Sequence, residues 1–379
     1  MKHLLLAGLI LFLLIAPARA EGLDDALLQT LDSLSLDAWE RAWEYAFPDG
    51  ADFQEMLMQL ARGEASLDGA GVLEEILSYF LGALRKSLRR AAALLLPAIF
   101  YGILQRMRSS FQSKALGSAL EAACFLLIAG AMARDMGDHA ALAGDAVSRM
   151  ADLMQALFPL LLTLLAAVGG TAGAAFFQPA VVAASGTMTA LVQSAVLPLS
   201  MGAAATAIVD QLSPRMHLGR LSAFLKSAAS WLLGVGFTVF ISVTALQSLG
   251  VAAADGISIR TAKYAVDHFV PVVGGMFADT MDTLVGASLL IKNALGVTGL
   301  LLLIFQAGGS MAETLAAVML YRACAALLQP LGEDRIGRCM QDFSNILMLL
   351  FIIQLSVGAM FLLLVAQMLV VGNLTVMLR

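Results

Sequence analysis

The sequence is poor in charge, in cysteine and in the motifs of known enzymes. Only 13% of its 379 residues are charged, about half the fraction usual in soluble domains. Its three cysteines are far apart, which excludes a disulfide framework and zinc-ligand spacing. It contains no H-E-x-x-H, G-x-S-x-G or P-loop motif, and no basic patch interleaved with aromatic residues. We therefore predict that the chain is not an enzyme, uses no metal or cofactor and does not bind nucleic acid.

Apolar residues are abundant instead. They make up 60% of the chain, and the mean hydropathy is +0.84. Several runs approach or exceed the ~20 residues that a helix needs to cross a bilayer. The sequence predicts an all-α polytopic membrane protein with about six to nine membrane helices, some of them broken or re-entrant. The predicted spans are 91–105, 116–133, 153–172, 180–209, 228–253, 271–291, 294–311, 314–331 and 343–371.

The first twenty residues have the pattern of a cleavable signal peptide. Lys2 and His3 precede an apolar run from Leu4 to Ala16, and residues 18–20 read A-R-A, which resembles a cleavage site. The alternative is an uncleaved first membrane helix. In both cases residue 21 and those that follow begin outside the cytoplasm.

Residues 21–84 form an acidic segment ahead of a membrane domain at 85–379. Residues 21–75 hold 14 of the 28 acids but only two arginines, a net charge of −12, so the remaining chain is +7. Apolar residues at helical spacing predict amphipathic helices at 23–34, 37–47 and 52–61. We expect a small extracytoplasmic helical unit, in which Trp39 and Trp43 either pack internally or anchor at the bilayer interface.

Basic residues flank two connections that we expect to be cytoplasmic, which requires an even number of crossings between them. Three spans are predicted there, so one of them does not cross simply. Residues 153–179 are one candidate for a re-entrant segment, with Gly169, Gly170 and Pro179 as helix-break candidates. The alternative is that 180–209 forms two half-helices around Pro198. The basic residues are Arg106, Arg108 and Lys114 in the first connection, and Arg215, Arg220 and Lys226 in the second.

Charged residues interrupt the apolar stretch 269–296. Asp279 and Asp282 are three residues apart and share a helix face, and Lys292 follows them. A lone charge at the bilayer centre costs about 2.5–3.5 kcal/mol on insertion scales. The pattern favours a polar face toward a pore, a cavity or a partner helix, and Lys292 is placed to snorkel to an interface.

Two other interpretations of this stretch remain open. The segment is a helix lying in the interface, or its acids pair with Arg260, Lys263 or Arg322. A helix break is predicted just before the acids, with Pro271, Gly274 and Gly275 as the break candidates.

Three blocks of the sequence resemble the stage III sporulation protein AE family. The longest is residues 259–299, IRTAKYAVDHFVPVVGGMFADTMDTLVGASLLIKNALGVTG. The others are residues 169–179, GGTAGAAFFQP, and 327–337, LLQPLGEDRIG. The resemblance extends over about 150 to 379, and the acidic N-terminal region is much less specific.

The resemblance implies a role in the formation of endospores by Firmicutes. A member of this family is expected in the mother-cell membrane around the engulfed forespore, with residues 21–75 projecting into the intermembrane space. There it would help to build a transenvelope channel, or feeding tube, that supports late forespore gene expression. The implied partners are other stage III A proteins, indirectly the forespore stage II protein Q, and the lipid bilayer; self-association is an additional option.

Two alternatives to a conducting component stay open. One is a scaffold that recruits ring-forming partners without a path of its own. The other is a secondary transporter, for which 158–179 and 270–291 offer a faint internal likeness, since each has a proline near its start and a Gly-Gly pair after it.

Overall fold

A computed structural model describes most of the chain as helix. It covers residues 23–32, 34, 36–47, 52–64, 77, 78, 80–87, 96–100, 103, 114–212, 218–269, 274–329 and 334–377. For 248–282, within these ranges, it describes the backbone only. The predicted signal peptide at 1–20 lies outside the described residues. In the described part every regular element is a helix, which confirms the all-α prediction.

Three short amphipathic helices form the start of the described chain: α1 (Leu23–Asp32), α2 (Asp37–Ala46) and α3 (Phe53–Arg62). Their positions confirm the helices predicted from apolar spacing. Trp39, Trp43 and Phe53 are buried, and the ring of each tryptophan lies about 6 Å from the ring of Phe53, between centroids. The two tryptophans are therefore packed among the helices, which is the first of the two alternatives considered for them.

The next helix, α4 (Lys114–Ala167), is a single element of 54 residues. The prediction of two separate spans at 116–133 and 153–172 is therefore wrong at their junction. Residues 134–152 contain several charged residues, which the sequence pattern treats as a loop. They form an amphipathic helix instead, because their apolar side chains fall on one side and their charges on the other.

A tight turn separates α4 from α5 (Thr171–Val182). Gly169 adopts φ 101°, a left-handed conformation that glycine adopts without a steric penalty. The Gly169 N–H bonds the carbonyl of Ala166, and the Gly170 N–H bonds that of Leu165, which closes the end of α4. Thus the chain reverses at Gly169 and Gly170, and α5 packs back against α4.

The chain does not break at Pro179, and that prediction is wrong. Pro179 lies inside α5, and a π-helical segment, π1 (Ala183–Met188), begins four residues later. Residues Thr189–Leu191, a second segment π2 (Val192–Val196) and α6 (Leu197–Leu212) continue the same helical run, so Pro198 does not separate two half-helices either.

Three more long helices complete the described fold: α7 (Gly219–Phe269), α8 (Gly274–Leu328) and α9 (Asp334–Met377). The three spans predicted at 271–291, 294–311 and 314–331 are one helix of 55 residues, so their division was wrong. No proline occurs from 272 to 329, and single polar residues such as Glu313 do not interrupt a helical backbone.

The long helices α4, α8 and α9 form the centre of the bundle. The N-terminal helices α1–α3 pack on α8 and α4, and α6 and α7 pack on α9. Gly299 of α8 lies at one crossing, where a Cβ atom would stand 3.0 Å from Leu157 and 3.3 Å from Trp39. The absence of a side chain at Gly299 lets α2, α4 and α8 approach one another there.

Five of the described helices are long and apolar enough to cross a membrane. These regions are Ala122–Ala167, Gly186–Gln211, Gly219–Gln247, Thr283–Leu328 and Arg335–Asn373. They overlap eight of the nine predicted spans, and the ninth, 91–105, lies largely outside the described residues. A helix of 46 residues is about 69 Å long, whereas the hydrocarbon core is about 30 Å thick. The longest of these helices therefore extend well beyond one bilayer core.

Candidate functional site

Lys292 is the best-defined of the predicted polar residues. Its side chain is only 1% exposed, although it lies within the apolar region Thr283–Leu328. Its Nζ donates a hydrogen bond of 3.2 Å to the carbonyl oxygen of Leu369 in α9. Gly372 provides the space, since a Cβ atom there would overlap the ammonium group. The expectation that Lys292 snorkels to an interface is therefore wrong, because α9 covers it.

Asp279 and Asp282 lie in the first turns of α8, and their side chains are outside the described part of the structure. Ten residues separate Asp282 from Lys292, a rise of about 15 Å along a helix. The predicted polar face of Asp279, Asp282 and Lys292 is therefore extended along α8. It is not a single compact cluster of the three residues.

The other predicted break residues lie at the start of α8. Gly274 is its first residue and Gly275 its second, while Pro271 lies outside the described residues. Arg322, suggested as a partner for the two acids, donates from Nε to the Ser344 hydroxyl of α9 at 3.2 Å. This contact ties α8 to α9. The side chains of Arg260 and Lys263, the other suggested partners, fall outside the description.

A second polar cluster lies deep between α8 and α9, and sequence reasoning missed it. Ser310 donates to Gln354 Oε1 at 2.8 Å, and Gln354 Nε2 donates to the Thr314 hydroxyl at 3.1 Å. All three side chains are buried. The spacing of Ser310 and Thr314, one helical turn apart, indicates that they share a helix face. Their partner Gln354 is 40 residues beyond Thr314, and no pattern in the sequence links it to them.

A third cluster joins α4 to α8. The Tyr321 hydroxyl donates to Asp135 Oδ2 at 2.9 Å, and His139 Nε2 lies 4.0 Å from Asp135 Oδ1. Tyr321 and His139 are each 1% exposed. Asp135 and His139 are four residues apart on α4, which places them on one side of that helix. Buried polar groups of this kind are stabilised by the hydrogen bonds that they make.

These clusters place polar contacts along much of the length of α8. Lys292, Ser310, Thr314 and Tyr321 lie on nearly the same side of the helix, since 18 residues correspond to five turns. Each side chain has a partner on another helix of the bundle. Such contacts fix the register of packed helices where the surroundings are apolar. The polar contacts therefore position the helices. Among the described residues no three His, Cys, Asp or Glu side chains come together as metal ligands.

An apolar groove of about 550 Å³ lies on another side of α8 and α9. Its walls include Leu303, Ala307, Phe351, Leu355 and Phe80. Its lining includes no charged residue. The groove is therefore suited to apolar chains and not to the passage of polar solutes.

The outer side of α4 carries a different kind of polar surface. Asp138, Asp145 and Asp152 are exposed and recur every seven residues. Ser148, on the same helix, accepts a hydrogen bond of 2.6 Å from Gln193 Nε2 in π2. In the described part of the chain none of the three carboxylates forms an ion pair. The seven-residue spacing of these acids is a helical pattern in the sequence. It was overlooked because residues 134–152 were expected to form a loop between two spans.

Comparison with known proteins agrees with the resemblance seen in the sequence. A family model described as stage III sporulation protein AE matches residues 51–372. The chain is 32% identical over 323 residues to the Stage III sporulation protein AE of Bacillus subtilis (strain 168), an alignment that covers 85% of this chain and 81% of that protein. No solved structure matches the chain significantly.

Proposed function

Because the chain belongs to the stage III sporulation protein AE family, we propose that it is a membrane component of the channel that links the mother cell to the forespore. The observation that carries the proposal is the family match over most of a chain with five helices able to cross a membrane. The proposal places the chain in the mother-cell membrane around the forespore, with its N-terminal helices in the intermembrane space.

The proposed role is non-catalytic. The chain would contribute membrane structure and a polar surface, while the energy for transport comes from a separate motor protein. Other stage III A proteins are its proposed direct partners, and the forespore stage II protein Q is an indirect one across the gap. The name of the Bacillus subtilis relative supports a role in sporulation. The named partners are proposed together with that role.

The test is complementation in a spore-forming bacterium. A strain lacking the gene should form few heat-resistant spores and show weak late forespore gene expression. The intact chain should restore both. Normal sporulation in the deletion strain would contradict the proposed function.

A double variant separates a conducting role from a scaffold. Asp279→Asn with Asp282→Asn should lower spore yield while membrane abundance stays normal, if the acids border a polar path. The matched control is Asp25→Asn with Asp37→Asn, two exposed acids of the strongly acidic N-terminal segment. We expect the control pair to sporulate normally.

A non-conducting scaffold is the second candidate function. It is favoured by the docking of α1–α3 on α8, where Phe47 and Phe305 meet edge to face at 4.7 Å. That contact joins the acidic segment firmly to the bundle, as a platform for partners requires. Normal spore yield of the Asp279/Asp282 variant, together with loss of yield from changes in α1–α3, would favour the scaffold.

A further inference from the structure

The apolar groove between α8 and α9 opens to the outside of the bundle. Leu355 in its wall is 47% exposed, and Leu77, from the segment ahead of α4, is 54% exposed. Gly308 also lines the groove, and a Cβ atom there would meet no neighbouring group within 4 Å. The groove is therefore an accessible space of about 550 Å³, within the range of ligand pockets, ~300–1,000 Å³.

Charged residues mark one boundary of the membrane below the groove. Asp342 of α9 interacts electrostatically with Lys226 of α7 and Asp210 of α6, which puts the three residues close to one level. Beyond this level α9 is apolar, since no charged residue occurs from 343 to 378. A bilayer core of ~30 Å takes about 20 helical residues. The groove residues at 351–362 therefore lie in the leaflet farther from this boundary.

The acidic N-terminal helices mark the opposite boundary. Phe47, which follows α2, contacts Phe305 of α8 with ring centroids 4.7 Å apart, and the α8 residues of the groove lie within 303–312. Asp37 and Glu44 of α2 are exposed, and unpaired carboxylates are costly in hydrocarbon. The groove therefore lies next to the membrane surface that carries α1–α3, at the depth of that leaflet's acyl chains.

A basic residue ends one wall of the groove. Residues 80–87 are helical. Leu77, Leu81 and Arg85 follow one another at intervals of four residues, about one turn, and all three are exposed. Side chains of a helix lean toward the preceding turn, so Arg85 leans back toward Leu81. This row leads from the apolar groove to a guanidinium group.

The dimensions of the groove favour an acyl chain over a partner helix. Residues 351–362 of α9 extend over about 16 Å, close to the ~15 Å depth of one leaflet. A helix with its side chains is about 10–12 Å wide, so 16 Å of it takes up roughly twice the volume of the groove or more. An extended hydrocarbon chain is much thinner and enters such a space.

We propose that the groove binds an anionic phospholipid, with an acyl chain against Leu303 and Leu355 and the phosphate at Arg85. Lys86, also exposed, adds a second positive charge beside Arg85. Neither of the two basic residues forms an ion pair within the described part of the chain. A guanidinium binds a phosphate through two parallel N–H donors. A headgroup that carries its own cation gains less from this basic pair, so the site discriminates by net charge.

Native mass spectrometry of the full chain measures the binding. The chain is released from nanodiscs that hold equal amounts of phosphatidylglycerol and phosphatidylcholine with identical acyl chains. We expect one phosphatidylglycerol to stay bound, about tenfold more often than phosphatidylcholine, because each basic group near the headgroup adds to the attraction. Equal retention of the two lipids, or no retained lipid, overturns the proposal.

Two adjacent glycines provide a blocking variant and its matched control. Gly308 lines the groove and Gly309 does not, and a Cβ atom at either position meets no neighbouring group within 4 Å. Gly308→Phe should fill the groove and remove the bound lipid, whereas Gly309→Phe should retain it. Retention by both variants, or loss from both, overturns the proposal.

A surface variant tests the headgroup contact without changing the groove. Arg85→Gln with Lys86→Gln alters two exposed side chains, so the fold should be unaffected. We expect this variant to bind the two lipids equally. An undiminished preference for phosphatidylglycerol would overturn the assignment of the phosphate to these residues. Because the readout is bound lipid, failure of the chain to restore sporulation would remove the channel role and leave this result unaffected.

Discussion

The inner side of α8 and the outer side of α4 both carry polar residues, and the two sides differ in how those residues are satisfied. Ser310, Thr314 and Tyr321 are buried, and each bonds a side chain on another helix. Asp145 and Asp152 are exposed and form no ion pair within the described part of the chain. Inner polar groups therefore contribute to stability and register, whereas the outer ones determine what the bundle can face.

The largest expected loss of stability comes from replacing a buried tryptophan, and an exposed tryptophan provides the control. Trp39→Ala removes a side chain that is 1% exposed and contacts α3 and α8. It should lower the free energy of unfolding by about 3–5 kcal/mol, because it leaves a cavity. Thermal unfolding in detergent measures the change. Trp231→Ala, on a side chain that is 69% exposed, is the control, and an equal loss there would contradict the inner–outer contrast.

The next effect concerns the cluster between α8 and α9. Gln354→Leu removes the partner of Ser310 and Thr314 and leaves their hydroxyls with fewer hydrogen bonds. The free energy of unfolding should fall by about 1–3 kcal/mol, the cost of unsatisfied buried polar groups. Unfolding by heat reports it, with the exposed Gln193→Leu as control. A neutral Gln354→Leu variant would mean that the cluster contributes no stability.

A smaller effect is expected where α4 meets α8. Tyr321→Phe deletes one hydroxyl and its bond to Asp135, and should cost about 1 kcal/mol. A double-mutant cycle with Asp135→Asn isolates the pair. Additive losses in the cycle would show that the hydrogen bond has no energetic coupling of its own.

The smallest effect on stability should come from the outer side. Asp152→Asn should change the free energy of unfolding by no more than about 0.5 kcal/mol, as surface substitutions usually do. The same thermal unfolding measurement applies. A large loss would show that Asp152 is an inner residue in the folded assembly, and the contrast with α8 would no longer hold.

Local features of the fold could be predicted from the sequence, and long-range ones could not. The spacing of Trp39 and Trp43 located α2, and the apolar runs identified the long helices. The predicted spans 271–291, 294–311 and 314–331 are separated near Lys292 and Glu313. A helix satisfies its own backbone hydrogen bonds, however, so polar side chains alone do not end it.

The candidate site shows the same limit. Lys292 was identified from its apolar surroundings, but its partner Leu369 is 77 residues away. No periodicity of α8 indicates which helix covers it. The snorkelling expectation failed because it considered one helix alone, while the burial of Lys292 depends on α9 and on the space beside Gly372.

The N-terminal helices hold α8 close to its midpoint. Gly299 and Phe305, where Trp39 and Phe47 make contact, lie near the middle of a helix that runs from Gly274 to Leu328. A helix of 55 residues is a rod of about 82 Å. Contacts with α9 and α4 hold the same helix on both sides of that midpoint, at Lys292 and at Tyr321. A displacement of α1–α3 would therefore be transmitted from the middle of α8 to the helices that pack along it.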